Sequence, residues 1–80
     1  MNPPVLKAGR YQHYKGNFYE VLALARHSET EAWHVVYKTL YGDHSTWIRP
    51  LEMFIENVTH DGIKQPRFRY VGEASIADDT

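Results

Sequence analysis

Phe18-Tyr19-Glu20-Val21-Leu22-Ala23-Leu24-Ala25-Arg26-His27 is the stretch on which the fold turns. Leu22 to Ala25 are competent helix formers and, taken alone, would suit a helix. The flanks oppose that reading. Lys15-Gly16-Asn17 precedes the run and Ser28-Glu29-Thr30-Glu31 follows it. Both are turn compositions, and Gly16 and Asn17 tolerate a positive φ. A long apolar run bounded on both sides by turns reads as a bent strand.

The same alternation of strand formers and turns extends in both directions. Arg10 to Tyr14 reads as a strand entering the Lys15–Asn17 turn. Trp33 to Leu40 is β-branched and aromatic and stops at Gly42-Asp43; Ser45 to Arg49 is a short fourth strand cut by Pro50. Beyond Pro50 the period changes. Leu51, Phe54, Ile55 and Val58 follow helical spacing, Pro50 suits a first turn because the N–H it lacks would be unpaired there, and Glu52 faces the positive end of the dipole. One to two helical turns are expected. Asp61-Gly62 marks a further turn, and Pro66 opens a last strand, Arg67 to Val71. The sum is a mostly β fold: a small SH3-like barrel of about five antiparallel strands, with one short helical turn before the last strand. Closure would remove the edges an open sheet must hide. An open antiparallel sheet with the helix on one face is the alternative. Residues 1–8 read as a flexible arm, 9–71 as one SH3-like domain and 72–80 as a disordered acidic tail.

Eighty residues support one domain with little interior, and with no cysteine the chain has neither disulfides, thiolate zinc sites nor thiol nucleophiles. Its six Tyr, three Phe and two Trp are the material for closing so small a core. The net charge of −1, with both signs interspersed, leaves no global basic surface for a polyanion. Nucleic-acid binding would need a local patch. No apolar run approaches the ~20 residues of a membrane span, and the start of the chain lacks a signal-peptide pattern. A cytoplasmic protein with no membrane partner is expected.

Gly9-Arg10-Tyr11-Gln12-His13-Tyr14-Lys15-Gly16-Asn17-Phe18-Tyr19-Glu20-Val21 resembles the opening of a bacterial family catalogued as domain of unknown function 1653. Ala25 to Thr30, Val35-Val36-Tyr37, Leu40-Tyr41-Gly42, Trp47 to Phe54 and Pro66-Arg67-Phe68 continue the likeness over nearly all of residues 9–71. The resemblance implies a compact bacterial domain, found alone or joined to other modules. It implies no reaction, ligand, cofactor or catalytic residue.

Strand alternation then sorts the polar residues. In the last strand, Phe68 and Tyr70 are expected in the core, with Arg67 and Arg69 outside. In the fourth, an inward Ile48 would make Trp47 and Arg49 an outward pair, which Arg10, Lys15 and Arg26 can join. A guanidinium beside an exposed ring can hold a phosphate while the ring stacks on a base. The bland counterpart is a solvated face with Arg49 paired to Glu52 or Glu20.

Arg26-His27-Ser28-Glu29-Thr30 is the densest polar segment, but sequence neighbours on a strand point to opposite faces and seldom form a nucleophile–base chain. A turn with hydroxyls bonded to backbone N–H groups is the simpler reading. Of the five histidines, His27 and His34 can be diagonal neighbours across a hairpin; no zinc motif is present and no metal is expected. Glu20, Glu52 and Glu56 are the carboxylates best placed for acid–base work, and an ion pair to Arg49 or Arg67 is the simpler fate of Glu20.

The leading expectation is a non-enzymatic binding module without a cofactor. Tyr11, Tyr14, Tyr41 and Trp47 would supply a groove for a nucleic-acid segment or nucleotide-like anion. Its binding residues would come from Arg10, Lys15, Arg26, His27, Trp47, Arg49 and Arg67. A protein–protein adaptor or accessory domain is the alternative, and a small hydrolase acting through Glu20 or His27 the third.

Overall fold

The structure is a computed structural model that describes residues 4–73. Seven strands and one short helix follow one another: β1 (Gly9–His13), β2 (Phe18–Arg26), β3 (Trp33–Thr39), β4 (Thr46–Pro50), α1 (Leu51–Ile55), β5 (Asn57–His60), β6 (Ile63–Pro66) and β7 (Phe68–Gly72). The decisive stretch is a strand. It is paired antiparallel to β1 on one side and β3 on the other. Its bend is a bulge between Val21 and Ala23 that leaves Leu22 outside the register.

The bulge has a consequence for side-chain direction. Val21 lies opposite Tyr37, whereas Leu24 lies opposite Val35. Both therefore face the core, although a straight strand would turn residues three apart to opposite faces.

Five strands form one antiparallel sheet in the order β4-β3-β2-β1-β7, and β5 and β6 form a separate hairpin. The chain is thus mostly β, with two sheets and one helix. Among the described residues no pairing of β4 with β7 closes the large sheet, so the mostly β class is met without a closed barrel being detected. Two strands were also missed. Asn57-Val58-Thr59-His60 turns at Asp61-Gly62 into Ile63-Lys64-Gln65-Pro66, so Pro66 ends β6 instead of opening the last strand. Asp61 and Gly62 both adopt positive φ, as a tight hairpin requires. Val58 belongs to this hairpin, because the chain turns extended at Glu56 and ends the helix after Ile55.

One face of the large sheet is the core. Tyr11, Val21, Val35, Tyr37 and Phe68 are buried there, and α1 lays Phe54 across them. Phe54 is 1% exposed and stacks on Phe68 at 4.1 Å, with the edge of Tyr11 at 5.5 Å. Leu6, Tyr19, Leu24, Leu51 and Tyr70 pack around this centre. The hydroxyl of Tyr11 donates to the carbonyl of Lys7 at 2.7 Å, joining the segment before β1 to the core. Of the acidic tail, only residues 72 and 73 lie within the described residues.

The opposite face carries Arg10, Glu20, Lys38 and Thr46 side by side in register across β1 to β4. Ile48 lies on this face beside Val36 and is 59% exposed. That overturns the expectation of a core Ile48. Trp47 and Arg49, paired with Tyr37 and Val35, belong instead to the core-side face. Among the described residues, no helix is long and apolar enough to cross a membrane.

Candidate functional site

Ser45, Trp47 and Arg49 lie two residues apart along extended chain, so their side chains share one face. That face is the rim of the core. Together with Tyr19, Tyr37 and Thr39 from the neighbouring strands and Tyr41 to Asp43 from the β3–β4 loop, they line an open cleft of about 280 Å³. Trp47 is 56% exposed and Tyr41 44%, so two rings project at the mouth over a buried Tyr37.

The cleft is held by its own polar groups. Trp47 Nε1 donates to Ser45 Oγ at 2.7 Å, and Ser45 N donates to Asp43 Oδ1 at 3.1 Å. Hydrogen bonds from the hydroxyl and then the backbone N–H of Ser45 hold the Asp43 carboxyl below its ordinary pKa, so it is ionised at neutral pH. Thr39 is buried, and its hydroxyl donates to the Tyr41 carbonyl at 3.1 Å. The hydroxyls of Tyr19 and Tyr41 meet at 2.9 Å. Burial, reinforced by that bond, raises the Tyr19 phenol to about 12, so it is neutral across the physiological range.

Arg49 is the cation of the cleft. Its guanidinium carbon lies 5.6 Å from the Phe68 ring centroid, and its Nε is shielded from solvent with no hydrogen-bond partner. Among the described residues Arg49 forms no ion pair, so neither Glu52 nor Glu20 neutralises it. A buried donor left unpaired costs about 1–3 kcal/mol, which only water or a ligand can recover. His13 senses the same field: burial first, then Arg67, Arg49 and Lys15, push its pKa below the ordinary value.

The other expected site residues are dispersed. Arg10 is on the far face opposite Glu20. Lys15 sits in the β1–β2 turn with its ammonium 5.8 Å from the Tyr14 ring, and Tyr14 stacks on His13 and meets His60 instead of entering the cleft. Arg26 lies 5.0 Å from the Trp33 ring centroid and 3.9 Å from the carboxylate of Glu31. Arg67 is half-buried, one residue ahead of β7, and bonded to Glu56; it is not the exposed strand residue expected, whereas Arg69 is exposed. That pairing also occupies the Glu56 carboxylate. Glu20 lies between Arg10 and Lys38 on the far face of the sheet, with β3 between its strand and β4.

His27 Nδ1 accepts from the backbone N–H groups of Glu29 and Thr30, at 3.1 and 3.2 Å, so the ring closes a turn. An accepting Nδ1 leaves the proton of the neutral ring on Nε2, where it can bind neither a metal nor a substrate proton. The ring of His34 is 5.7 Å away, as a hairpin there predicts. Among the described residues no three His, Cys, Asp or Glu side chains converge as metal ligands.

Of the residues that line the cleft, the sequence singles out Tyr41, Trp47 and Arg49 but not Tyr19, Thr39, Asp43 or Ser45. The same-face spacing of residues 45, 47 and 49 was the available signal. Placing Ile48 in the core turns that face outward, away from Tyr37 and Thr39.

Comparison with known proteins adds a family to this geometry. Residues 9–70 match the family described as a protein of unknown function, DUF1653. The chain belongs to the DUF1653 family. A crystal structure of a DUF1653 protein from Bordetella bronchiseptica is similar, with a TM-score of 0.81 and 40% sequence identity over 88% of this chain and 92% of that one. No curated protein matches. Membership in DUF1653 therefore accounts for the shared mostly β fold, and the chemistry has to be read from the cleft itself.

Proposed function

We propose that this chain is a small non-enzymatic binding module whose ligand, a planar anion of the nucleotide type, sits in the Trp47–Arg49 cleft. The observation that carries this reading is the unpaired, partly desolvated guanidinium of Arg49 beside two projecting rings. A guanidinium in that state favours a phosphate or carboxylate, and exposed rings favour a flat partner. A quaternary ammonium would suit the rings but would meet Arg49's positive charge. In this reading the meander, with its first strand beside its last, serves as an SH3-like scaffold that presents the loop between β3 and β4.

The test is a titration of Trp47 fluorescence with nucleoside monophosphates at low salt, in a Trp33→Phe background that silences the other indole. A saturable response is expected, and Arg49→Gln should weaken it by ~10-fold or more, the loss of one charge-assisted contact. No response at millimolar nucleotide, or an unchanged affinity in Arg49→Gln, would end the proposal.

One observation favours a second reading, a protein–protein adaptor. Ile48, Leu22 and Phe18 are exposed apolar side chains of the large sheet. Sedimentation that stays monomeric at high concentration, with no partner recovered, would count against it.

A further inference from the structure

The cleft has two chemically different ends. Asp43 and Ser45 lie in the loop where β3 passes to β4, and Arg49 lies near the other end of β4. Ser45 and Arg49 are four residues apart on extended chain, which spans about 13 Å at ~3.3 Å per residue, with Trp47 midway. An anion acceptor and a carboxylate therefore flank an aromatic wall at roughly the length of a nucleoside monophosphate, from the edge of its base to its phosphate.

The charges limit the ligand further. Arg49 is the one cationic side chain among the described residues that line the cleft. One cation suits one anionic group. A polynucleotide would instead need a track of cations along its backbone.

The Asp43 carboxylate decides which base. An ionised carboxylate only accepts hydrogen bonds, so it selects an edge that presents donors. Its Oδ1 is engaged by Ser45, and the group is otherwise exposed at the cleft rim. Guanine presents two adjacent donors, N1–H and the N2 amino group. Adenine presents its amino group next to the N1 lone pair, which would face the carboxylate's own lone pairs. Ser45 links the two recognition elements, because it accepts from Trp47 Nε1 and donates to Asp43.

We infer that the cleft selects a guanine mononucleotide, with its phosphate on Arg49, its base against Trp47 and Tyr41, and its N1–H and N2 amino groups on Asp43. This assignment rests on the binding-module reading above. The experiment compares GMP, IMP and AMP by Trp47 fluorescence in the Trp33→Phe protein and in the same protein carrying Asp43→Asn. GMP should bind ~10-fold or more tightly than AMP, with IMP between them, because a polar site rejects ligands that leave its groups unpaired. Asp43→Asn keeps an oxygen for the Ser45 N–H but adds an N–H donor that opposes guanine's own donors and suits adenine's N1, so it should weaken GMP by ~10-fold or more without weakening AMP. Equal affinities in the unsubstituted site, or a GMP preference that survives Asp43→Asn, would overturn the guanine assignment and leave the binding reading standing. Saturable binding of none of the three would overturn both.

Discussion

Arg49 and His13 report on each other. They lie on different strands but share the ring of Phe68, which is 5.6 Å from the Arg49 guanidinium and 4.9 Å from the His13 ring. Burial, Arg67, Arg49 and Lys15 all disfavour the imidazolium, so the folded-state pKa of His13 lies below the ordinary 6.5. The sign follows from linkage: the unfolded chain takes up a proton before the folded one does as pH falls below 6.5. His13 therefore contributes stability that is present above 6.5 and is lost as pH falls through its folded pKa. Urea midpoints measured between pH 7 and 5 should fall with pH, and His13→Gln should flatten that slope. A bound anion on Arg49 should also raise the His13 pKa in an NMR titration, since it offsets one of the charges that lowers it. An unmoved His13 in the presence of saturating nucleotide would place the anion elsewhere. At this scale Trp47 and Arg49 were legible as a pair from their spacing, but their direction was not. Ile48 is the more apolar of the three, and hydrophobicity alone assigns it inward. Its exposure follows from pairing with Val36 on the far face, a tertiary fact that no local pattern carries.

Between elements, the bulge in β2 does the most to shape the core. Leu22 and Leu24 are two residues apart and would face the same way in a straight strand. With Leu22 set out of register, Leu24 packs on the core while Leu22 stays exposed. Leu22→Ser should therefore change stability by no more than about 0.5 kcal/mol, as at an ordinary surface site. Leu24→Ala should cost about 2 kcal/mol or more, toward the low end for a leucine removed from a core. Chemical denaturation of the two variants checks this, and equal losses would mean the strand runs straight. The bend was legible because turn residues on both sides left too long a run for a flat strand. The phase change inside it was not, since a bulge leaves no glycine or proline here to mark it. The β5–β6 hairpin shows the opposite failure. Asp61-Gly62 announced its turn, but the helical spacing of Leu51, Phe54, Ile55 and Val58 drew Val58 into the preceding helix. A helix of five residues has too few internal bonds to persist on its own, and its packing of Leu51 and Phe54 on the sheet decides where it stops.

For the whole molecule, the meander places β7 beside β1 and α1 across the same face, so that the core rings and the cleft are one continuous aromatic surface. Phe54 and Phe68 close its interior, Tyr19 and Tyr37 lead outward, and Trp47 and Tyr41 stand at the mouth. The inward turn of Phe68 could be read from period-two alternation. Whether β4 and β7 would close a barrel could not, because closure depends on the curvature accumulated over five strands. The proposed site depends on the Arg49 guanidinium, which this surface leaves without a carboxylate. The most direct measurement is the NMR signal of the Arg49 side-chain Nε–H as GMP is added to the folded protein. It should move saturably together with the Trp47 indole N–H, while the Arg26 and Arg67 side chains, already paired with Glu31 and Glu56, stay in place. An Arg49 signal that holds still while nucleotide binds, or that moves only with the rest, would mean that Arg49 does not hold the anion.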